Sequence, residues 1–187
     1  ILANFDICFT VSLSIDIWDY WQISKKIAFK MKTYNILGID EFKTKIESSS
    51  RLLGIDPGSN NIGFAICDEN KKVATPLKIL EKRKFETLLK EIGQIIKDND
   101  IKGIIIGNPI NMDGTIGKSS QSASDFAKKL SINVTVPVSM WDERLSSEAS
   151  FKITKELGTN VSKRVSKLDM NAAAFILQGA IDYLTNN

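Results

Sequence analysis

Three acidic residues stand where a strand ends or a helix is expected to begin. Asp56 closes the apolar segment RLLGID, Glu143 follows an apolar segment ending at Trp141, and Asp169 precedes a helical pattern. Taken alone, each acid has an ordinary structural explanation. Asp56 could cap a turn, Glu143 could form a surface ion pair with Arg144, and Asp169 could interact with the helix dipole. Gathered at one edge, they would repel one another unless a divalent cation neutralised them. Oxygen-only ligation suits Mg²⁺ or Mn²⁺.

Phosphodiester hydrolysis is the reaction expected at such an acidic centre. Two divalent ions about 4 Å apart activate a water and stabilise the leaving oxygen. The chain contains no histidine, which excludes Ser–His–Asp and Cys–His nucleophile systems and zinc sites that need imidazole. Its net charge of +3 permits a nucleic-acid partner but does not require one.

The elements that must position these acids follow one another from Arg51 to the end of the chain. Helix and strand periodicities predict three strands, then alternating helices and strands, and finally two helices joined by a loop. The predicted elements are strands 51–56, 62–68 and 73–80, helix 85–96, strand 103–107, a helix around 123–130, strand 134–141, a helix capped by Ser146 or Ser147, loop 158–168 and helix 169–183. This order predicts an α/β fold. Its mixed five-stranded sheet would combine a three-strand antiparallel meander with two parallel strands, and helices would cover both faces. The acids are then expected at one rim, where strand ends and helix starts converge.

Residues 1–50 are interpreted as an N-terminal extension and 51–187 as the main domain. The serine run 48–50 marks the linker, and an apolar stripe predicts a short helix at about 39–47. Met31 is an alternative natural start, which would make residues 1–30 an upstream segment. The apolar stretch 7–15 lacks a preceding basic region and is too short to span a bilayer, so no membrane association is expected.

Four segments in order resemble the motifs of a known family. They read LGIDPGSNNIG (53–63), IGNPINMDGT (106–115), WDERLSSEA (141–149) and LDMNAA followed by ILQ (168–178). Over Arg51–Leu184 the chain resembles the YqgF-type, Holliday-junction-resolvase-like family of pre-16S rRNA nucleases. The resemblance implies an RNase H-like fold and a cytoplasmic, metal-dependent hydrolase that trims the 5′ end of pre-16S rRNA in ribosome biogenesis. Matched position by position, it makes Asp56, Glu143 and Asp169 both catalytic and metal-binding.

Contacts to the substrate are expected around the acidic centre. The basic segment 152–167 leads into Asp169, although a solvated surface is the ordinary interpretation of such a run. The loop 108–118 offers glycines for close backbone approach, and Asp113 is expected to hold that loop together. The first motif departs from the family pattern at two places. Ser59 stands where the family often has threonine, and Asn60-Asn61 stands where the family often has a basic pair. The residues predicted to bind nucleic acid are Ser59, Asn60, Lys118, Arg144, Lys163 and Arg164.

Several functional interpretations remain open at this stage. The favoured one is a nuclease that acts on pre-rRNA, with the assembling small ribosomal subunit as a partner, and that exists as a monomer or weak dimer. A nuclease of the same fold acting on branched DNA also fits the GIDPG motif. A non-catalytic factor that binds nucleic acid or the ribosome is the third. An actin-like or sugar-kinase-like ATPase is disfavoured, because those folds need two domains and 187 residues are too few.

Overall fold

The computed structural model describes residues 35–111, 113–145 and 161–186, without the side chains of 145 and 161–170. These residues belong to the compact unit Tyr34–Asn187. Its strands are β1 (Ile36–Leu37), β2 (Arg51–Asp56), β3 (Asn61–Cys67), β4 (Ala74–Glu81), β5 (Ile101–Asn108) and β6 (Val138–Asp142). Its helices are α1 (Ile39–Lys45), α2 (Phe85–Asp98), α3 (Lys118–Ser131) and α4 (Val161–Asn186), with a 3-10 turn at Glu143–Leu145.

The strands form one mixed sheet in the order β1-β6-β5-β2-β3-β4. Strands β2, β3 and β4 make the predicted antiparallel meander, and β5 and β6 run parallel to β2. The predicted fold class is therefore confirmed. The sheet has one strand more than predicted, because the two-residue β1 pairs with β6 in parallel. The sheet's other edge is β4, which contains Pro76.

Alternation along the central strands builds a core on each face of the sheet. In β2, Leu53 and Ile55 face one apolar cluster, whereas Leu52 faces the other, as the two-residue period of a strand requires. The first cluster is completed by helices α2 and α3, and the second by α1 and α4. Strand β5 is apolar along most of its length because both of its faces are covered.

Helix α4 lies close against β2 because the sequence places a glycine at the crossing point. A Cβ at Gly54 would lie 2.7 Å from Cβ of Leu177 and 2.9 Å from the carbonyl oxygen of Ala173. The small Ala173 is fully buried there. Any larger residue at Gly54 would push α4 away from the sheet.

The segment before Arg51 contributes to the same packing. Phe42 of α1 is fully buried, and a Cβ at Gly103 would lie 2.6 Å from its ring. The Lys71 ammonium, itself buried, donates hydrogen bonds to the carbonyls of Glu47 (2.7 Å) and Ser48. These bonds fix the serine run 48–50 beside the β3–β4 turn. Residues 1–30, and the helix expected after Ser146 or Ser147, lie outside the described part of the chain.

Helix α4 and strand β6 do not begin where the sequence predicts. Helix α4 begins at Val161, so residues 161–168 are not a loop and Asp169 does not begin the helix. The charge of this segment suggested a loop, yet Val165 and Leu168 continue the helical spacing and no Gly or Pro interrupts it. Strand β6 begins at Val138 rather than 134, because the Val134 N–H donates back to the Leu130 carbonyl.

Within the described ranges, no helix combines the length and the apolar composition needed to cross a bilayer.

Candidate active site

Three parallel strands end at the same edge of the sheet and carry polar residues there. Strand β2 ends at Asp56, β5 at Asn108 and β6 at Asp142, and Asn108 pairs with Asp142 in register. Glu143 follows immediately in the 3-10 turn. The carboxyl ends of neighbouring parallel strands thus bring residues together that are far apart in sequence.

Asp56 and Glu143 line one open cleft of about 480 Å³ at this edge. The other lining residues come from the β2–β3 turn, the end of β4, the residue after Asn108 and the start of α3: Pro57, Gly58, Ser59, Lys82, Pro109, Lys118, Ser119 and Ser122. The structure therefore brings together two of the three predicted acids with Ser59 and Lys118. Asn60 is exposed at the same turn.

Glu143 is partly buried and its carboxylate lies over a glycine. A Cβ at Gly107 would lie 2.7 Å from Oε1 of Glu143 and 2.5 Å from Cδ1 of Ile176 in α4. Burial raises the pKa of Glu143 from 4.5 to about 7, and the negative charges of Asp56 and then Asp142 add to this effect. The ionised form of Glu143 is therefore unfavourable, so its carboxyl group tends either to keep a proton or to bind a cation.

Three of the predicted site residues fall on α4. Asp169, Lys163 and Arg164 lie in the helical backbone of α4, but their side chains lie outside the described residues. Among the side chains that the structure does describe, no group of three acidic, histidine or cysteine residues could hold a metal.

Arg144 forms its ion pair with Asp142 and not, as one sequence interpretation held, with Glu143. Its Nη2 donates to Oδ2 of Asp142 at 2.6 Å and its Nε donates to Oδ1 at 3.0 Å. The hydrogen bond from Arg144 lowers the pKa of Asp142. A Cβ at Gly114 would lie 3.7 Å from Nη1 of Arg144. Arg144 is therefore fixed between the end of β6 and the loop before α3.

The loop between β5 and α3 is closed by its own polar side chains. Oδ1 of Asp113 accepts hydrogen bonds from the Thr115 N–H (2.9 Å) and hydroxyl (2.6 Å), which lower the pKa of Asp113. The amide of Asn111 donates to the same hydroxyl at 2.8 Å. The predicted role of Asp113 in holding this loop is confirmed. At its base the buried Ser120 hydroxyl donates to Asn108 Oδ1 at 2.6 Å.

Lys82 is a charged cleft residue that sequence reasoning missed. Its N–H donates to the Asn60 carbonyl at 2.8 Å, and its Nζ lies 3.5 Å from the Gly58 carbonyl oxygen. The only signal in the sequence is the run Lys82-Arg83-Lys84 at the end of a predicted strand.

Comparison with known proteins identifies the family. The sequence model of the family "RuvX: Holliday junction resolvase" matches residues 50–183. The chain belongs to this family. A RuvX relative from Pelagibacter ubique (strain HTCC1062), named "Putative pre-16S rRNA nuclease", is 50% identical over 151 residues, covering 81% of this chain and 100% of the relative. A relative of the same name from Ruegeria pomeroyi is 40% identical over 148 residues, covering 79% of this chain and 96% of the relative.

The fold of this family member is similar to that of a solved resolvase. The structure "T. thermophilus RuvC in complex with Holliday junction substrate" matches with a TM-score of 0.50 at 10% identity, covering 73% of this chain and 96% of that chain. The predicted family, RNase H-like fold and enzyme class are confirmed: the protein is a nuclease, a hydrolase of phosphodiester bonds.

Proposed function

We propose that this nuclease processes the 5′ end of pre-16S rRNA in the bacterial cytoplasm and meets its substrate on the assembling small ribosomal subunit. The names of the relatives from Pelagibacter and Ruegeria support the substrate. The observation that carries the catalytic part is the pairing of Asp56 and Glu143 in one cleft, where the pKa of Glu143 is raised to about 7.

The donor chemistry of the cleft fits a divalent cation. Asp56 and Glu143 offer carboxylate oxygens, which are the ligands that Mg²⁺ and Mn²⁺ prefer. The negative charge of Asp56 contributes to the raised pKa of Glu143, and a bound cation would relieve this repulsion. We propose Asp56, Glu143 and Asp169 as the ligands. Asp169 lies about two helical turns before Ile176 in α4. The side chain of Ile176 lies next to the Gly107 position, beside Glu143.

A bound divalent ion would supply Lewis-acid chemistry, activating water and stabilising charge on the phosphodiester. The protein's own groups do the rest. Strand β2 and the tight turn after it orient Asp56, since the Gly58 N–H donates to the Asp56 carbonyl at 3.0 Å. Lys118 and Lys82 bring positive charge to opposite walls of the cleft and can hold phosphate oxygens. In the absence of a cation, Glu143 retains a proton on its carboxylate through part of the neutral range.

Cleavage of branched DNA is the second candidate. The family's own description is Holliday junction resolvase. The cleft chemistry suits the phosphodiesters of either nucleic acid. The two candidates therefore differ in the substrate and not in the catalytic groups.

A gel assay with two substrates tests the proposal. The purified protein is incubated with an end-labelled pre-16S rRNA leader or with a four-way DNA junction, in Mn²⁺ or in chelator. Asp56→Asn serves as the inactive variant. Asp113→Asn is the matched control, because it makes the same carboxylate-to-amide change in the neighbouring loop. We expect Mn²⁺-dependent cutting of the RNA by the wild type and Asp113→Asn, and none by Asp56→Asn.

Other outcomes would change the assignment. Cutting of the junction alone would identify a DNA resolvase. Binding of RNA without cutting, repeated with assembling small-subunit particles as substrate, would leave a non-catalytic ribosome-binding factor. Undiminished cutting by Asp56→Asn would remove Asp56 from the catalytic centre.

A further inference from the structure

A basic segment borders the cleft, and the catalytic proposal uses only its first residue, Lys82. Lys82, Arg83 and Lys84 follow β4 directly with no acidic residue between them. In the sheet, β3 and β4 lie on one side of β2, and β5 and β6 lie on the other. Helix α3, which carries Lys118, packs against β5 and β6. Segment 82–84 and Lys118 therefore stand on opposite sides of Asp56.

The first residue of this segment is tied to the turn that follows Asp56. The β3–β4 ladder ends with the pair Asn61 and Glu81, and the next N–H, from Lys82, donates to the Asn60 carbonyl at 2.8 Å. The Lys82 ammonium lies 3.5 Å from the Gly58 carbonyl oxygen. Backbone pairing thus places a cation at the cleft wall without relying on a side-chain ion pair.

The second residue faces a separate hollow beyond the cleft. Arg83 lines a depression of about 220 Å³ together with Glu81, Thr87 and Glu91. Its guanidinium is 3.7 Å from Glu81, with 68% and 77% of the two side chains exposed. Such an exposed pair contributes little to stability, so it does not prevent Arg83 from meeting a phosphate. Glu91 in the same hollow is paired with Lys78 at 2.9 Å.

We propose that segment 82–84 is a second phosphate-binding site, which holds the backbone of the nucleic-acid strand where it leaves the acidic pair across the sheet edge. Lys82 contacts the strand inside the cleft, Arg83 contacts it over the hollow, and the exposed Lys84 at the start of α2 extends the track. The inference rests on the proposed function in one respect, which is that the substrate strand occupies the cleft.

Salt-dependent binding tests this site directly. Fluorescence anisotropy would measure affinity for a labelled single-stranded RNA leader and for a four-way DNA junction over a salt series. Chelator and the Asp56→Asn background prevent cleavage. The test variant is Lys82→Gln/Arg83→Gln. The control is Lys128→Gln/Lys129→Gln, which removes the same charge from an exposed pair in the last turn of α3, at the helix end away from the cleft.

We expect the test variant to bind RNA about 10-fold more weakly at low salt. The slope of log affinity against log salt should fall by about 1.4, which corresponds to two lost phosphate contacts on a single strand. The control should change the slope by less than half as much. Lys82→Arg/Arg83→Lys should keep the wild-type slope, since it preserves both charges. Thermal melting of each variant would verify folding.

Two results would overturn this site. One is a slope of log affinity against log salt that is equal in the test and control variants, although the chain without these substitutions binds normally. The other is the same loss of slope in Lys82→Arg/Arg83→Lys, which would reveal a structural effect in place of a charge effect. Absence of salt-dependent binding by the unmodified chain to either probe is a different result, because it would contradict the proposed function itself.

Discussion

The carboxylate of Glu143 occupies the space that a side chain at Gly107 would fill, with Oε1 2.7 Å from the Cβ position. Gly107 lies in β5 and Glu143 follows β6, so a missing side chain in one strand creates room for the acid that follows its neighbour. The position of Glu143 therefore depends on a residue with no chemistry of its own.

Gly107→Ala should misplace Glu143 without unfolding the protein. The new methyl group meets the ends of two flexible side chains, Glu143 and Ile176, which can move aside at a cost of about 1–3 kcal/mol. A displacement of about 1 Å is enough to lower the cleavage rate by about 100-fold.

The matched control is Gly93→Ala in α2, where a Cβ would meet no atom within 4 Å. It should raise the free energy of unfolding by about 0.5–1 kcal/mol, since alanine favours a helix, and leave cleavage intact. Urea unfolding and the gel assay measure both effects. Full activity in Gly107→Ala would show that the position of Glu143 does not limit cleavage.

Glu143→Gln should change how stability depends on pH in the presence of chelator. The pKa of Glu143 is about 7 in the folded protein against 4.5 ordinarily, so between these values the folded state holds a proton that the unfolded state releases. The wild type is therefore progressively destabilised by this group as pH rises from 4.5 to about 7. The variant lacks this penalty and should be more stable than wild type by about 1 kcal/mol near pH 8, after allowance for partial solvent exposure. Identical pH profiles from urea unfolding would contradict the raised pKa.

Metal binding should be visible as stabilisation in the absence of substrate. At about 100 times its dissociation constant, a bound ion adds about 2.7 kcal/mol to the free energy of unfolding. We expect Mn²⁺ to raise the melting temperature of the wild type and of Asp113→Asn, and not that of Asp56→Asn. A full Mn²⁺ shift in Asp56→Asn would place the ion elsewhere.

Asp142 should affect the affinity for nucleic acid by holding Arg144 in place. The bidentate contact fixes the guanidinium beside the loop at Gly114, so either Asp142→Asn or Arg144→Gln should weaken RNA binding by about 3- to 10-fold, equivalent to about 1 kcal/mol. The double variant should bind no more weakly than Arg144→Gln alone. Additive losses in this double-mutant cycle would mean that the two residues act independently.

Phe42 should stabilise the nuclease although it precedes the family motifs. Its ring is fully buried against Gly103, and Phe42→Ala should lower the free energy of unfolding by about 3–5 kcal/mol. Removal of residues 1–30 should leave melting and activity nearly unchanged. Thermal unfolding of both variants measures the contrast. A loss of less than about 1 kcal/mol in Phe42→Ala would show that α1 is dispensable for the core.

The acids at strand ends were predictable because each follows an apolar run, and parallel strands end at one edge. Asp56 and Glu143 meet that condition, and β5 between β2 and β6 brings them to one cleft. Lys82 was not predictable because its placement depends on pairing between β3 and β4, whose register shifts between Phe64 and Ala65. Such an irregularity decides which residue of a basic run faces the cleft.

The start of α4 and the strand β1 escaped prediction for other reasons. Charged residues in 161–168 hid a helical spacing that α4 follows. A two-residue strand such as β1 is too short to show alternation. It exists because Ile36 and Leu37 meet the open side of β6, which is a tertiary relationship and not a local pattern.

The two edge strands of the sheet affect whether the protein aggregates at high concentration. An exposed strand edge can pair with the edge of another chain and seed aggregation, and short edge strands, prolines and lysines are the usual protections. One edge of this sheet is only the two residues of β1, and the other, β4, carries Pro76 and Lys78. Neither edge offers a long uninterrupted row of backbone donors to a second molecule, so the described sheet is poorly suited to growth by addition of strands.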